Sequence, residues 1–469
     1  MLDTNINNGG DKLSYIDNFY EFRRDFLKGK SGFLEIQENI QEIINFHQNQ
    51  GYNKNSSYKL NKKSSKWTIL QGDYSYTTLD EHAEFYNKLF ENFGEDTDIL
   101  LTLSIDSADE TKRNLQHVSI ENLRQIVNNS AFPIQIRSVK NDQRILAEKA
   151  FASGISDIVG GAITNSAYSF ERVSLEQGLV HWEYIDKLIA FYATKGVIIN
   201  KEISLPLSGN LIPPCLQIAL IILDGLIAVE NGVKSITLTY NQVGRISQDI
   251  SGINLLKQLF SEYLKKMGHD NVNDIGVSSA LATWSGGFPK SSAEGYAIIS
   301  SAGICGGIGQ ADKIISTSPD KGTGQIDNSS YLSGIQTAKK SFEIGRYQNG
   351  ELHTQESQRL KIAVKDIVDT VLEKSGQNKE ISLAVLEAFK DGILDVPFSS
   401  MIENHGQVLP IRGIDGCVRY FDYGKLPLSN DIKTFHEECL KKRGQKEQRE
   451  PTFQMVIDDI YAAGKGELI

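Results

Sequence analysis

Cysteine is scarce. The chain has four in 469 residues, Cys215, Cys305, Cys417 and Cys439, and no two form a C-x-x-C pair. That spacing gives neither a disulfide framework nor a zinc site, and it suits a reduced, cytoplasmic setting. The eight histidines form no H-x-x-x-H or H-E-x-x-H pair, so a zinc centre is not expected. Basic charge is not in excess. Lys and Arg number 49 against 59 Asp and Glu, a net charge of −10, which argues against a nucleic-acid partner. The Lys-rich patch Lys54–Lys66 is interleaved with Ser and Asn and reads as a solvated linker rather than a binding arm. Met1–Lys12 holds no apolar h-region, so no secretory signal is expected. The most apolar stretch, Leu211–Val229, is broken by Pro213, Pro214, Gln217 and Asp224 and reads as a buried helix, not a membrane span. There is no long low-complexity tract.

Eight short β-rich runs are present, each followed by a helical stretch. They are Trp67–Gly72, Asp98–Asp106, Pro133–Ser138, Asp157–Gly161, Val197–Ser204, Ser235–Tyr240, Asp274–Thr283 and Lys313–Ser318. Eight βα units close a TIM (β/α)8 barrel, an α/β fold. Runs such as Val197-Ile198-Ile199 are continuously apolar, as parallel strands covered on both faces should be. Residues 1–66 then form an N-terminal helical extension and linker, 67–346 the barrel, and 347–469 a C-terminal α+β extension. The extension holds helical stretches near Gln355–Lys374, Ile381–Asp391, Asp431–Arg443 and Phe453–Ala463, with a Pro/Gly-punctuated segment from Val396 to Pro427.

This fold places chemistry at the carboxyl ends of its strands. The candidates there are Asp73 and Ser75, Asp106, Arg137, Gly160 and Gly161, Glu202, Tyr240, Thr283 and Trp284, then Ser318 and Lys321. Several charges converging on one mouth suit a charged small molecule. Arg137 offers two parallel donors to a carboxylate; the other reading pairs it with Asp106 or Glu202 inside the barrel. Gly160-Gly161 allows a ligand to approach the backbone, or forms a tight turn that needs small residues. The run Gly303–Gly309 resembles a phosphate loop. It lacks the Gly-Lys-Ser/Thr ending and precedes strand 8, on the face of the barrel that serves stability. Asp80-x-His82 begins a D-x-H-x-x-G pattern, but Phe85 stands where Gly is required, and the segment reads as a solvated helix face.

Four segments carry a family resemblance. They are Trp284-Ser-Gly-Gly-Phe-Pro289; Pro206-Leu-Ser-Gly-Asn-Leu-Ile-Pro-Pro214 with Glu230-Asn-Gly-Val-Lys-Ser-Ile-Thr237; Gly416-Cys-Val-Arg-Tyr-Phe-Asp-Tyr-Gly424; and the tail Phe453–Gly466. With them the chain resembles the large (epsilon) subunit of adenosylcobalamin-dependent glutamate mutase, or methylaspartate mutase, along nearly its whole length. The resemblance implies a barrel that caps cobalamin carried by a separate small (sigma) subunit, and a homodimer of large subunits. It also implies a radical rearrangement of glutamate to 3-methylaspartate, begun by a 5′-deoxyadenosyl radical, with water excluded and the substrate's charges held.

The family's site residues carry over unevenly. Of three arginines that grip the two glutamate carboxylates, Arg137 matches one; Asp73 replaces the second and Glu110 aligns with the third. The residue after Arg137 is usually His and here is Ser138. A glutamate before the strand-4 glycines is Val159, and two tyrosines beyond are Asn165 and Ser169. Phe288 matches a coenzyme contact. The lysine and glutamate that hold the adenosyl ribose are Thr317 and Lys321, and the glycine after strand 1 is Ser75. Barrel geometry and the resemblance together assign Arg137, Ser138, Gly160, Gly161, Asn165 and Tyr240 to an amino-acid substrate, with Glu202 and Asp73 as catalytic candidates, one of them holding its ammonium. The resemblance assigns Phe288, Ser75, Thr317 and Lys321 to the coenzyme. Two other readings stay open. One is a diverged member with another substrate or without mutase activity. The other is a cobalamin-free lyase or aldolase, which would need Lys201 or Lys321 for a Schiff base.

Overall fold

The computed structural model describes residues 119–467 apart from 139, 170–171, 270–273, 325–326, 349–354 and 376–379. Of the first 118 it describes 16, 18–30, 40–51, 55, 57, 69–74, 85, 88–89, 91–93 and 99–104. Eight parallel strands close on themselves in sequence order: β1 (Ile69–Tyr74), β2 (Ile99–Ser104), β3 (Ile134–Arg137), β4 (Asp157–Val159), β5 (Asn200–Ser204), β6 (Ser235–Asn241), β7 (Gly276–Ala282) and β8 (Lys313–Ser316). The last pairs back onto the first, Leu70 in register with Ile314. The expected (β/α)8 barrel is therefore present.

Two N-terminal helices precede the barrel, α1 (Phe19–Leu27) and α2 (Ile40–Asn49). Arg23 of α1 makes a two-pronged bond to buried Glu148, 2.7 Å at each oxygen, and Glu148 also accepts from the Tyr184 hydroxyl. The helices between strands are α3 (Ile120–Asn129), α4 (Arg144–Ala152), α5 (Ala162–Tyr168), α6 (Leu175–Thr194), α7 (Pro214–Glu230), α8 (Ile246–Lys266), α9 (Ser292–Ile308) and α10 (Asn328–Arg346). The helix expected at 79–93 and the linker at 51–66 lie mostly outside the described residues. Phe85, the residue that broke the D-x-H-x-x-G pattern, is buried edge-on against Tyr331.

Helix α7 is apolar on every side because it is covered on every side. Strands β5 and β6 lie under it, and α11 (Gln355–Ser375) and α12 (Ile381–Lys390) of the C-terminal extension lie over it. Its two polar interruptions are bonded. Gln217 accepts from the Asn241 backbone N–H and donates to its carbonyl, and Asp224 accepts from Thr164. Among the described residues no helix is long and apolar enough to cross a membrane.

The glycine run Gly303–Gly309 is not a loop. Helix α9 continues through it to Ile308, and its glycines let α10 lie against it. A Cβ at Gly307 would sit 2.4 Å from the carbonyl oxygen of Phe342, and one at Gly345 would sit 2.4 Å from that of Ile304. The run serves helix packing. After α12 come an antiparallel pair, β9 (Leu409–Arg412) and β10 (Val418–Asp422), then α13 (Asn430–Glu447) and α14 (Phe453–Ala462). Asp459 of α14 accepts two bonds from Arg443 and one from the Arg412 backbone, tying this layer together.

Backbone, not flexible side chain, opposes Gly307 and Gly345. Helix propensity alone would favour Gly307→Ala by about 1 kcal/mol. The close approach reverses the sign, and we expect Gly307→Ala to lower unfolding free energy by about 1–3 kcal/mol in urea titration. A stabilised variant would contradict the seam.

Candidate functional site

Strand register decides which side chains enter the barrel. In parallel strands paired residues face the same way. The pairings Thr102–Gln135, Asp157–Asn200, Glu202–Thr237, Thr237–Ser278 and Ala280–Lys313 trace one inward-facing set around the sheet. Val, Ile and Leu usually fill such interiors. Here the set, Ala280 apart, is polar and hydrogen-bonded. Gln135 Nε2 donates to Asp157 Oδ1 at 2.8 Å and to Glu202 Oε2 at 2.7 Å. Lys313 Nζ forms an ion pair with Glu202, and Thr239 donates to its other oxygen at 2.8 Å. Asn200 donates to Asp157 and to Thr237, both at 3.0 Å, and Thr237 meets Ser278 at 2.8 Å.

Burial pushes the Asp157 carboxyl up to about 7. Lys313 opposes that shift, and Glu202 adds to it. Glu202 goes the other way: despite its burial, the Lys313 ammonium and hydrogen bonds from Gln135 and Thr239 hold its carboxyl below the usual carboxylate range. One carboxylate takes the cation, and its neighbour keeps the proton more readily.

The network decides several expectations. Glu202 does not reach the mouth. It is 1% exposed, its oxygens are occupied, and it lies level with Gln135, one inward position below Arg137. It therefore has no free oxygen for a substrate ammonium. Lys201, one residue away, faces outward. Its ammonium meets Asp186 at 2.6 Å and lies over Trp182, so it is not available as a Schiff-base lysine. Tyr240 also faces outward. Its ring packs on α8, where a Cβ at Gly252 would come within 2.4 Å, so the structure does not bring it to the mouth. Asp73 is in register with Thr102 near the end of β1. Ser75, Asp106 and Glu110 lie outside the described residues.

The remaining candidates form two arcs. Arg137 is half-buried at the end of β3, and Ser138 follows it, buried, its hydroxyl accepting from the Lys140 N–H at 3.1 Å. Next to them is the turn after β4. Gly160 has φ +141°, and a Cβ there would lie 2.3 Å from Trp182 and 2.6 Å from Asn165 Oδ1. A Cβ at Gly161 would meet Asp224 at 2.1 Å. Protein atoms fill the space beside both glycines, which favours the tight-turn reading. Asn141 donates to Ser169 at 3.3 Å and joins the two loops.

The second arc lies across the ring, after β7 and β8. Phe288 is 7% exposed in a small apolar cluster with Trp284, Leu211 and Ile298. The Lys321 ammonium stands 5.7 Å from the centre of its ring, and Thr317 is buried beside β8.

The C-terminal extension completes the rim. Ser399 and Ser400 donate to the carbonyls of Ala167 and Ser169, and Glu403 accepts from Ser174 and the Leu175 N–H. Asp395 accepts four consecutive backbone N–H groups, His405 to Val408, which fixes that crossing loop. The sequence reading missed Gln135 and Lys313. Their signal was present in the alternation Asn200-x-Glu202 and Ser235-x-Thr237-x-Thr239, polar residues every second position inside apolar strands.

Two outcomes test this network. Lys313→Met leaves a buried carboxylate without its cation and should cost about 3–5 kcal/mol in denaturant unfolding. Little or no loss would remove Glu202 from its assigned role. An acid whose folded pKa is raised binds its proton more tightly when folded. Asp157 therefore costs stability as pH rises from 3.8 toward about 7. Relative to wild type, Asp157→Asn should gain more than about 1 kcal/mol across that window. A flat difference between the two denaturation series would refute the assignment.

The family model described as Methylaspartate mutase E chain (MutE) matches residues 113–469. Several curated relatives are named glutamate mutase epsilon subunit. That of Desulfitobacterium hafniense is 33% identical, with 92% of this chain and 93% of that one covered. That of Yersinia enterocolitica is 33% identical over 97% and 98%, and that of Halobacterium salinarum 32% over 83% and 85%. Among solved structures, DAHP synthase from Thermotoga maritima covers 59% of this chain and 70% of its own at TM-score 0.38 and 12% identity, a likeness too slight to inform function.

Proposed function

The chain belongs to the methylaspartate mutase E chain family, and from that premise we propose that it is the catalytic large subunit of an adenosylcobalamin-dependent carbon-skeleton mutase acting on glutamate or a related amino acid. The observation that carries the reading is Arg137. It stands half-buried at the mouth, across the ring from the Phe288–Lys321 arc. A guanidinium in partial burial binds a carboxylate strongly and fixes its orientation. In this reading Arg137 holds the substrate α-carboxylate, with Ser138 and Asn165 beside it. Asp73 holds the ammonium, a role given to it rather than to Glu202, whose oxygens are bonded to Gln135, Thr239 and Lys313.

The coenzyme would be carried by a separate small cobalamin-binding subunit that covers the mouth. Phe288 would pack on it, and Thr317 and Lys321 would hold its ribose hydroxyls, with Ser75 on the β1 side. Bound there, the coenzyme supplies homolytic Co–C chemistry for hydrogen abstraction. The barrel's own contribution is to grip the substrate charges and keep water out. The large subunits would pair as a homodimer.

One observation favours a substrate other than glutamate. Asp73 stands where the family's second arginine is expected, and an acid there opposes a side-chain carboxylate. A related amino acid with a neutral or cationic side chain fits that position better.

Reconstitution with a cognate small subunit and adenosylcobalamin decides the matter. A panel of amino acids, glutamate included, should contain one that produces a cob(II)alamin signal by electron paramagnetic resonance. Arg137→Met should raise the concentration of that amino acid needed for half-maximal signal by at least about tenfold. Silence across the whole panel refutes the mutase reading.

A further inference from the structure

Phe288 stands where three loops meet. It belongs to the segment Trp284–Pro289 after β7, and two other loops press on that segment backbone to backbone. A Cβ at Gly286 would lie 2.6 Å from the Cα of Gly209, in the loop after β5, and one at Gly209 would lie 2.9 Å from the Cα of Gly286. Strands β5 and β7 are not neighbours in the sheet, so this contact passes over the end of β6, where Asn241 and Gln242 are each 1% exposed. The Ser285 hydroxyl adds a bond across it, donating to the Pro206 carbonyl at 3.0 Å. Two residues beyond Gly209, Leu211 has φ +51°, an angle that a bulky residue rarely takes. Its side chain is fully buried in the cluster that holds Trp284 and Phe288.

The loop after β8 closes from the other side. A Cβ at Gly322 would lie 2.5 Å from the Phe288 carbonyl oxygen and closer still to that of Pro289. Gly322 follows Lys321, whose ammonium stands 5.7 Å from the centre of the Phe288 ring. Neither Gly209 nor Gly322 has a positive φ, so glycine is required at these positions by space and not by backbone conformation. Every atom that crowds them is backbone, and a methyl group there must displace a loop rather than turn a side chain. Gly464 of the tail, by contrast, meets Gly287 at an ordinary 3.6 Å. We propose that Gly209 and Gly322 are positioning residues for Phe288. Lacking side chains, they let the loops after β5 and β8 clasp the β7 loop from both sides and fix where its ring stands relative to Lys321. The consequence for catalysis rests on the coenzyme role proposed for Phe288. A ring held by three loops is in place before a ligand arrives, so binding does not bear the cost of ordering it.

Two measurements test the clasp, and the first needs neither coenzyme nor partner. In the full chain labelled with 5-fluorotryptophan, the Trp284 signal is identified by its loss in Trp284→Phe. In fluorine NMR that signal should move in Gly209→Ala and in Gly322→Ala. The signal of Trp182, behind the β4 turn, should stay in place and report an intact fold. Gly464→Ala should move neither. The second measurement uses the complex with the small subunit. There Gly209→Ala and Gly322→Ala should each raise the adenosylcobalamin concentration for half-maximal cob(II)alamin signal by about tenfold or more, since a misplacement of about 1 Å is enough for such a loss. The amino-acid concentration for half-maximal signal should not change. A Trp284 signal unmoved in either variant overturns the proposal. So does equal weakening of coenzyme and amino acid, or a Gly464→Ala variant that behaves like Gly209→Ala. A wild-type complex with no cob(II)alamin signal refutes the mutase reading instead, and the fluorine spectra then decide the clasp by themselves.

Discussion

The ammonium of Lys313 on the carboxylate of Glu202 is the constraint from which the site is built. It spans the barrel interior from β8 to β5 in a space with almost no water access. A lone buried charge there is prohibitive, so the pair survives only because its remaining capacity is used. Gln135 and Thr239 complete the carboxylate, and Asn200 and Gln135 complete Asp157 next to it. Strands β3, β4, β5, β6 and β8 are thereby held at one level. Register then puts Arg137 one inward position higher, where the packed interior ends and the mouth begins.

Above that level the two sides of the ring differ in chemistry. The β3–β4 side is cationic and hydrogen-bonding, with Arg137, Ser138 and Asn165. The β7–β8 side presents Phe288 with Lys321 over its ring. The glycine turn between β4 and α5 is braced from behind by Trp182 and by Asp224, which also accepts from the first turn of α5 through Thr164. The C-terminal extension is fixed on the same rim. Asp395 gathers its crossing loop, and Arg412 reaches the carbonyl of Val243 after β6.

The strands were legible because parallel strands covered on both faces need unbroken β-branched and apolar runs, and the helices between them kept a helical period. The same property hid the facing of individual residues. When both faces are buried, polarity no longer marks which side is in. Tyr240 looked like a mouth residue and lies under α8; Lys201 looked reactive and is neutralised by Asp186 outside the sheet. Gly303–Gly309 reads against a phosphate loop in the sequence, and the structure agrees. Glycine permits a phosphate loop and a close helix contact equally well, and only the carbonyls of Phe342 and Ile304 opposite decide between them.

Sequence by itself determined the eight-unit alternation, the buried character of α7, the lack of metal-ligand spacing and, through four matching segments, the family. Those properties reside in local period, composition and motif. Tertiary structure alone decided that Glu202 is spent on Lys313 and that Phe288 and Lys321 meet. Each of these depends on inter-strand register and on contacts between residues far apart in the chain, and a one-residue slip of a strand would exchange every inward side chain for an outward one.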